Sequence, residues 1–167
     1  MTEKPLPTSV QRFADAAAAL GLSIDIVIFD HSTRTAEEAA AAIGCQVGQI
    51  VKSLIFTVKG APVVALVSGS NQLDTRKLAA LFEVGRKQVD RADADTVRAA
   101  TGYAIGGVPP FGHATATPLV IDRDLTLYDV IWAAPGTPNA VFANKPDDLV
   151  RATNGRTANL KVELECT

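Results

Sequence analysis

Lys52-Ser-Leu-Ile-Phe-Thr-Val58 and Pro62-Val-Val-Ala-Leu-Val-Ser68 are two apolar, β-branched runs separated by Lys59-Gly60-Ala61. That spacing predicts an antiparallel hairpin, and the apolar density of both runs makes them the expected central strands of a sheet. Upstream, Ile24, Ile26 and Ile28 alternate with Asp25, Val27 and Phe29, which predicts a strand more buried on one face than on the other. Downstream, residues 118–121, 130–133 and 140–144 read as short strands, with a last one near 159–164.

The helices expected around these strands carry their own signals. Thr8 or Ser9 is the expected cap of a first helix with Val10, Phe13, Ala17 and Leu20 on one stripe, ending at Gly21. Thr35 with Glu38 reads as a capping box that opens an alanine-rich helix closed by Gly44. Asp74 is the expected cap of a third helix, with Leu73 and Leu78 as its hydrophobic staple. Arg76 and Lys77 oppose the dipole in its first turn, a mismatch read either as a role beyond folding or as plain solvated surface. A short helix is expected over 93–100, and another opening at Pro146. Strands and helices mix without the strict alternation of a doubly wound sheet. The expected fold is therefore mixed α/β, a mainly antiparallel sheet curled toward a barrel and flanked by helices.

The 167 residues, 47% of them hydrophobic, suffice for one domain with a substantial core, and residues 1–167 are expected to form it without disulfides. The polar, proline-bearing start does not resemble a signal peptide, and no apolar run approaches the roughly 20 residues of a membrane span. Cys45 and Cys166 are far apart and lack partners at zinc-ligand spacing, so free thiols in a reducing cytoplasm, with no metal and no cofactor, are expected. A net charge of -2 gives no broad basic field. Any nucleic-acid contact must then be local, and the absence of a basic recognition helix argues against specific DNA binding.

Two features can carry chemistry. Lys52 is in phase with Leu54 and Phe56, so its stem lies along an apolar surface while its ammonium either snorkels to water or reaches a pocket. The segment Gly102-Tyr-Ala-Ile-Gly-Gly-Val-Pro-Pro-Phe-Gly-His113 holds four glycines and two prolines. Such a loop is either a purely structural wide turn or a presenter of N–H groups to an anion or developing oxyanion. Pro109 and Pro110 donate nothing, which leaves Gly106, Gly107 and Val108, then Phe111 and Gly112, as donors. It is neither a P-loop nor a dinucleotide fingerprint. His31 and His113 can be paired on paper with Ser53, Ser68, Ser70 or Cys45, yet no nucleophile elbow exists and both histidines read more simply as loop residues. Ser70, Asn71 and Asp74 form a polar cluster behind an apolar strand, a common place for ligand contacts.

Thr33-Arg-Thr-Ala-Glu-Glu-Ala-Ala, Gln49-Ile-Val-Lys-Ser-Leu-Ile-Phe56, Asp74 to Leu78, the glycine-proline loop, Ala134-Pro-Gly136 and Asp148-Leu-Val together resemble the YbaK/EbsC family, in order and spacing, over about residues 10–153. The resemblance implies a YbaK-type editing fold, similar to the domain inserted in bacterial prolyl-tRNA synthetases. It implies hydrolysis of misacylated tRNA, chiefly tRNA(Pro) carrying alanine, 2-aminobutyrate or cysteine, with prolyl-tRNA synthetase as a possible partner. The alternative is a silent tRNA- or synthetase-binding module of the same fold. Lys52 matches the family's strand lysine, and residues 106–110 match its G-x-x-x-P loop. Lys52, Gly106, Gly107 and Val108 are thereby the implied catalytic set, with Pro109, Pro110, Phe111, Gly112, Ser70, Asn71 and His31 as substrate contacts. Pro109 stands where relatives often carry a smaller or polar residue, which leaves the amino acid removed open.

Overall fold

The computed structural model describes residues 6–33 and 35–163. The expected hairpin is its centre. β2 (Val51–Val58) and β3 (Ala61–Ser68) pair antiparallel along their whole lengths, from Val51 opposite Ser68 to Val58 opposite Ala61. Lys59 and Gly60 alone form the turn, at φ 51° and 80°. Two consecutive left-handed residues make a type I′ turn, whose twist matches that of the strands.

The sheet grows outward from this pair in the order β4-β2-β3-β5-β8. β4 (Val89–Arg91) is antiparallel to β2, whereas β5 (Leu119–Asp122) is parallel to β3 and β8 (Arg156–Ala158) parallel to β5. A second, antiparallel sheet has the order β1-β7-β6, built from β1 (Ile26–Ile28), β6 (Ile131–Ala133) and β7 (Ala140–Asn144). The two sheets meet at an isolated parallel bridge between Ile50 and Trp132. Antiparallel pairings outnumber parallel ones, as expected, but the curl stops short of a barrel because, among the described residues, the sheets join only at that bridge.

Strand alternation sends β2 and β3 side chains into two cores. Val51, Ile55, Val64 and Leu66 face one that includes Phe13, Val97, Phe111, Ile131, Phe142 and Leu149. Phe56, Val58, Val63, Ala65 and Val67 face another that includes Leu78, Ala79, Val89 and Leu160. The first core is covered by α1 (Thr8–Ala19), α4 (Ala94–Thr101) and α5 (Pro146–Thr153), and the second by α3 (Thr75–Leu81). A smaller cluster joins α2 (Ala36–Ile43) to Ile50 and Trp132.

Most caps stand where expected. Thr35 Oγ1 accepts from the Glu38 N–H, and Gly44 ends α2 at φ 84°. Asp74 accepts from the Arg76 N–H, and Leu73 and Leu78 are both buried beside it. Lys77 has a structural partner for its charge, since its Nζ donates to the Lys161 carbonyl 2.6 Å away and lies 3.7 Å from Glu163.

Several boundaries differ from expectation. Pro7 rather than Thr8 or Ser9 occupies the cap position of α1, with no side-chain cap, and Leu20 lies beyond the helix and half exposed. The first strand shortens to three residues with Val27 and Ile28 exposed, because it is an edge of the small sheet. The last strand lies at Arg156–Ala158, where β5 offers a free edge, rather than at 159–164. Leu164 and Cys166 lie outside the described residues, as do Met1 to Pro5.

Candidate active site

β4 pairs with β2 only opposite Phe56, Thr57 and Val58, and one further bond joins the Ala92 N–H to the Ile55 carbonyl at 3.1 Å. Among the described residues the earlier half of β2 therefore has no paired strand on that side. A cavity of about 490 Å3 lies there, within the range of small-ligand sites. Its walls come from the first turn of α2, from β2, from Arg91 at the end of β4 and Ala92 just after it, from Ile105, Gly106 and Val108 of the glycine loop and from β6. Most of the lining is aliphatic. Lys52, Glu37 and Arg91 bring charge, and Thr33, Thr35 and Ser53 bring hydroxyls.

Lys52 is half-buried, and its Nζ donates to the main-chain carbonyl of Asn71. Burial pushes its ammonium below the ordinary lysine value, Glu37 and Asp122 pull it back up, and Arg91 pushes it further down. The Asn71 side chain is itself held, donating to Asp122 at 2.8 Å and to Asp124 at 2.9 Å.

The glycine loop follows α4 and is anchored at several points. Arg12 of α1 stacks 4.4 Å over the Tyr103 ring and donates to the Gly102 carbonyl. His113 Nε2 shares a hydrogen bond of 2.7 Å with the Pro109 carbonyl, and burial pushes the imidazole below the ordinary histidine value more than that carbonyl raises it. The Gly107 N–H donates to the Ala104 carbonyl at 3.1 Å, whereas the Gly106 and Val108 N–H groups have no partner among the described residues. A Cβ on Gly107 would meet Thr137 Cα at 2.8 Å and Gly136 C at 3.0 Å, so only glycine permits this loop to lie against the β6–β7 connection.

The structure gathers Lys52, Gly106 and Val108 around the cavity, with buried Gly107 between the last two. Pro109, Pro110 and Phe111 turn inward. Phe111 is 4% exposed, with its ring 5.0 Å from Phe13 and 6.1 Å from Phe142. Gly112 lies against Ala16 and Phe13 of α1. Ser70 is exposed, with its hydroxyl 3.3 Å from that of Ser68, and Asn71 stands behind Lys52 as its carbonyl partner. His31 is exposed and does not line the cavity. Neither histidine is hydrogen-bonded to a serine or cysteine among the described residues; Ser68 Oγ instead donates to the Gly48 carbonyl at 2.6 Å.

This geometry can bind a small apolar group against the aliphatic wall and stabilise negative charge with two N–H groups and one ammonium. Among the described residues it has no paired side-chain nucleophile and base.

Comparison with known proteins agrees. The family model of the aminoacyl-tRNA editing domain matches residues 30–152. The chain belongs to the aminoacyl-tRNA editing domain family. A solved structure of a candidate trans-editing enzyme for prolyl-tRNA synthetase superposes on this editing domain with a TM-score of 0.89 at 42% identity, covering 95% of this chain and 100% of that one. EbsC of Enterococcus faecalis, a candidate Cys-tRNA(Pro)/Cys-tRNA(Cys) deacylase, is 32% identical over 132 residues, 78% of either chain. The proline–tRNA ligase of a Thermoanaerobacter species is 29% identical over 98 residues, 59% of this chain but 17% of the ligase.

Parts of the editing-domain cavity are absent from a sequence-based reading. Glu37 belongs there to a helix start and Arg91 to a stretch without periodicity, and neither carries a local pattern that points to a pocket. Ser53 Oγ is buried with no hydrogen-bond partner among the described residues, at the cavity wall next to Lys52. A serine beside a lysine in a strand gives no sign of that.

Proposed function

We propose that the protein, as one domain over residues 1–167, is a cytoplasmic trans-editing hydrolase. It cleaves the ester between a small non-cognate amino acid and tRNA, with tRNA(Pro) carrying alanine, 2-aminobutyrate or cysteine as the preferred substrate. The observation that carries this reading is that Lys52, Gly106 and Val108 line one largely aliphatic cavity, the last two with N–H groups that have no partner among the described residues. The similarity to EbsC and to the solved trans-editing structure supports the choice of tRNA(Pro), and the likeness to the ligase supports prolyl-tRNA synthetase as a partner.

In this reading the amino-acid side chain lies against the apolar wall, and the ester carbonyl faces the loop. A water adds to the carbonyl carbon, the Gly106 and Val108 N–H groups hold the resulting oxyanion, and the C–O bond to the ribose breaks as the ribose oxygen takes a proton. The products are the free amino acid and tRNA with both terminal hydroxyls restored. An aminoacyl ester is activated enough that positioning and oxyanion stabilisation suffice without a protein nucleophile. Lys52 orients the polar end of the substrate, either the terminal adenosine's phosphate or the ester itself, and the neighbouring ribose hydroxyl helps place the water. Pro109, Pro110, Phe111 and Gly112 act by fixing the loop from behind. Ser70, Asn71 and His31 are the proposed contacts of the tRNA end outside the cavity.

The test is release of labelled amino acid from tRNA(Pro) charged with alanine, 2-aminobutyrate, cysteine or proline, with wild type beside Lys52→Ala. Rapid release of one small amino acid, sparing proline and lost in the variant, is expected. Release no faster than without enzyme on all of these, and on seryl- and threonyl-tRNA, would replace this reading with the binding module.

A further inference from the structure

Behind Lys52 stands a carboxylate that the proposed chemistry does not touch. Asp122, at the end of β5, is 1% exposed, one of three polar or charged residues buried to that degree among the described residues. Its two oxygens accept three N–H groups, from the Ser68 main chain at 3.1 Å, the Asn71 carboxamide at 2.8 Å and the Asp124 main chain at 3.0 Å. Among the described residues no cation pairs with it directly. Lys161 instead pairs with Asp124, 2.9 Å away, and Asp124 shares the Asn71 carboxamide.

Those three donors belong to the two segments that converge behind the cavity. Ser68 closes β3, and the turn from Ser68 to Asn71 is completed by the Asn71 N–H donating back to the Ser68 carbonyl at 2.9 Å. Asp122 grips both ends of this turn, one through the main chain and one through the side chain. The free product of the arrangement is the Asn71 carbonyl, which receives the Lys52 ammonium. A buried charge that accepts N–H bonds and has no ion-pair partner is costly to place for stability alone.

We propose that Asp122 is the positioning residue for Lys52: through the Ser68–Asn71 turn it fixes the carbonyl that holds the ammonium, and its charge faces that ammonium from behind the cavity. This rests on the editing reading for its catalytic consequence, though not for the geometry. The charged groups acting on Lys52 come from three elements, Glu37 from α2, Asp122 from β5 and Arg91 from the end of β4. Glu37 acts on Lys52 more strongly than Asp122 does, but it is exposed; Asp122 alone is fully buried, so salt screens it least.

Asp122→Asn tests the idea, because it keeps the shape and removes the charge, while its NH2 opposes the three donors. The Lys52 titration is followed by NMR of nitrogen-15-labelled lysine side chains, with the Lys52 signal assigned by its loss in Lys52→Arg. Removing a facing negative charge is expected to move this titration about one pH unit toward acid. The alkaline limb of kcat/KM for deacylation should move with it, so that at a pH above both midpoints activity falls about tenfold relative to wild type. A lowered Tm with the Lys52 titration and the limb both unmoved would show a purely structural role and overturn the proposal. Should Asp122→Asn not fold, Asn71→Ala keeps the main-chain carbonyl while cutting its tether, and it is expected to shift the Lys52 titration in the same direction; no shift there overturns the proposal as well. The NMR arm needs no turnover, so it decides the positioning role even if no charged tRNA is hydrolysed.

Discussion

Gly107→Ala should damage the site through packing alone. The added methyl would lie 2.8 Å from Thr137 Cα, 2.9 Å from Thr137 N and 3.0 Å from Gly136 C. Ordinary carbon contacts begin near 3.5 Å, so the loop or the β6–β7 connection must retreat by about 0.5 Å or more. All three atoms are backbone, and no side-chain rotation relieves the clash. Overpacking of this kind costs roughly 1–3 kcal/mol, and 2 kcal/mol lowers Tm by about 4–8 °C in a chain of this size. The retreat carries the Gly106 and Val108 N–H groups with it, and a displacement approaching 1 Å at such donors costs on the order of 100-fold in rate. Thermal unfolding and kcat/KM for deacylation measure the two effects. Gly60→Ala is the comparison: it strains the hairpin tip, at φ 80° with open space around it, and should lower Tm while leaving kcat/KM alone. A Gly107→Ala protein with wild-type Tm and wild-type kcat/KM would refute the packing argument and the assignment of donors together.

Further outcomes follow from other parts of the molecule. Phe111→Ala opens a void between Phe13 and Phe142 and should cost about 3–5 kcal/mol in urea unfolding. Burial holds the folded His113 below its ordinary value of 6.5, so the unfolded chain takes up the proton first as pH falls. The contribution of His113 to stability is therefore complete above about pH 6.5 and lost below it, and urea midpoints at pH 7.5 and 5.5 should lie closer together in His113→Gln than in wild type. Lys59→Asn places a residue that tolerates φ 51° ahead of Gly60 and should raise stability by roughly 0.5 kcal/mol, read from the shift in urea midpoint.

What the sequence revealed of the fold was what depends on neighbours in the chain. The Lys59-Gly60 turn, the Thr35 and Asp74 caps and Pro146 at the head of α5 act within a few residues, and each stands where its local chemistry puts it. β4 is three residues of Val-Asp-Arg with no periodicity to read, and exists because it pairs with Phe56–Val58. β8 likewise owes its place to β5. At the site, Lys52 and the glycine loop were visible because a charge in an apolar strand and a cluster of glycines are locally odd. Glu37, Arg91 and Asp122 were not, since an acidic helix start, a surface arginine and a strand-end aspartate are ordinary until the chain brings them beside Lys52. Phe111 shows the same limit from the other side: as a loop aromatic it gave no sign of joining Phe13 and Phe142 in the core.

The hairpin turn also decides which side chain reaches Asn71. Lys52 shares its strand face with Leu54 and Phe56, and Ser53 shares the opposite one with Val51 and Ile55. If the pairing slipped by a single residue, these two neighbours would exchange sides. The lysine would be driven into the core of α1 and α5, and a serine too short to span the gap would stand before the waiting carbonyl. One safeguard is a two-residue turn seven positions along the strand, roughly 23 Å from the chemistry. Lengthening that tip by one residue would leave every cavity residue in the sequence and still disarm the enzyme.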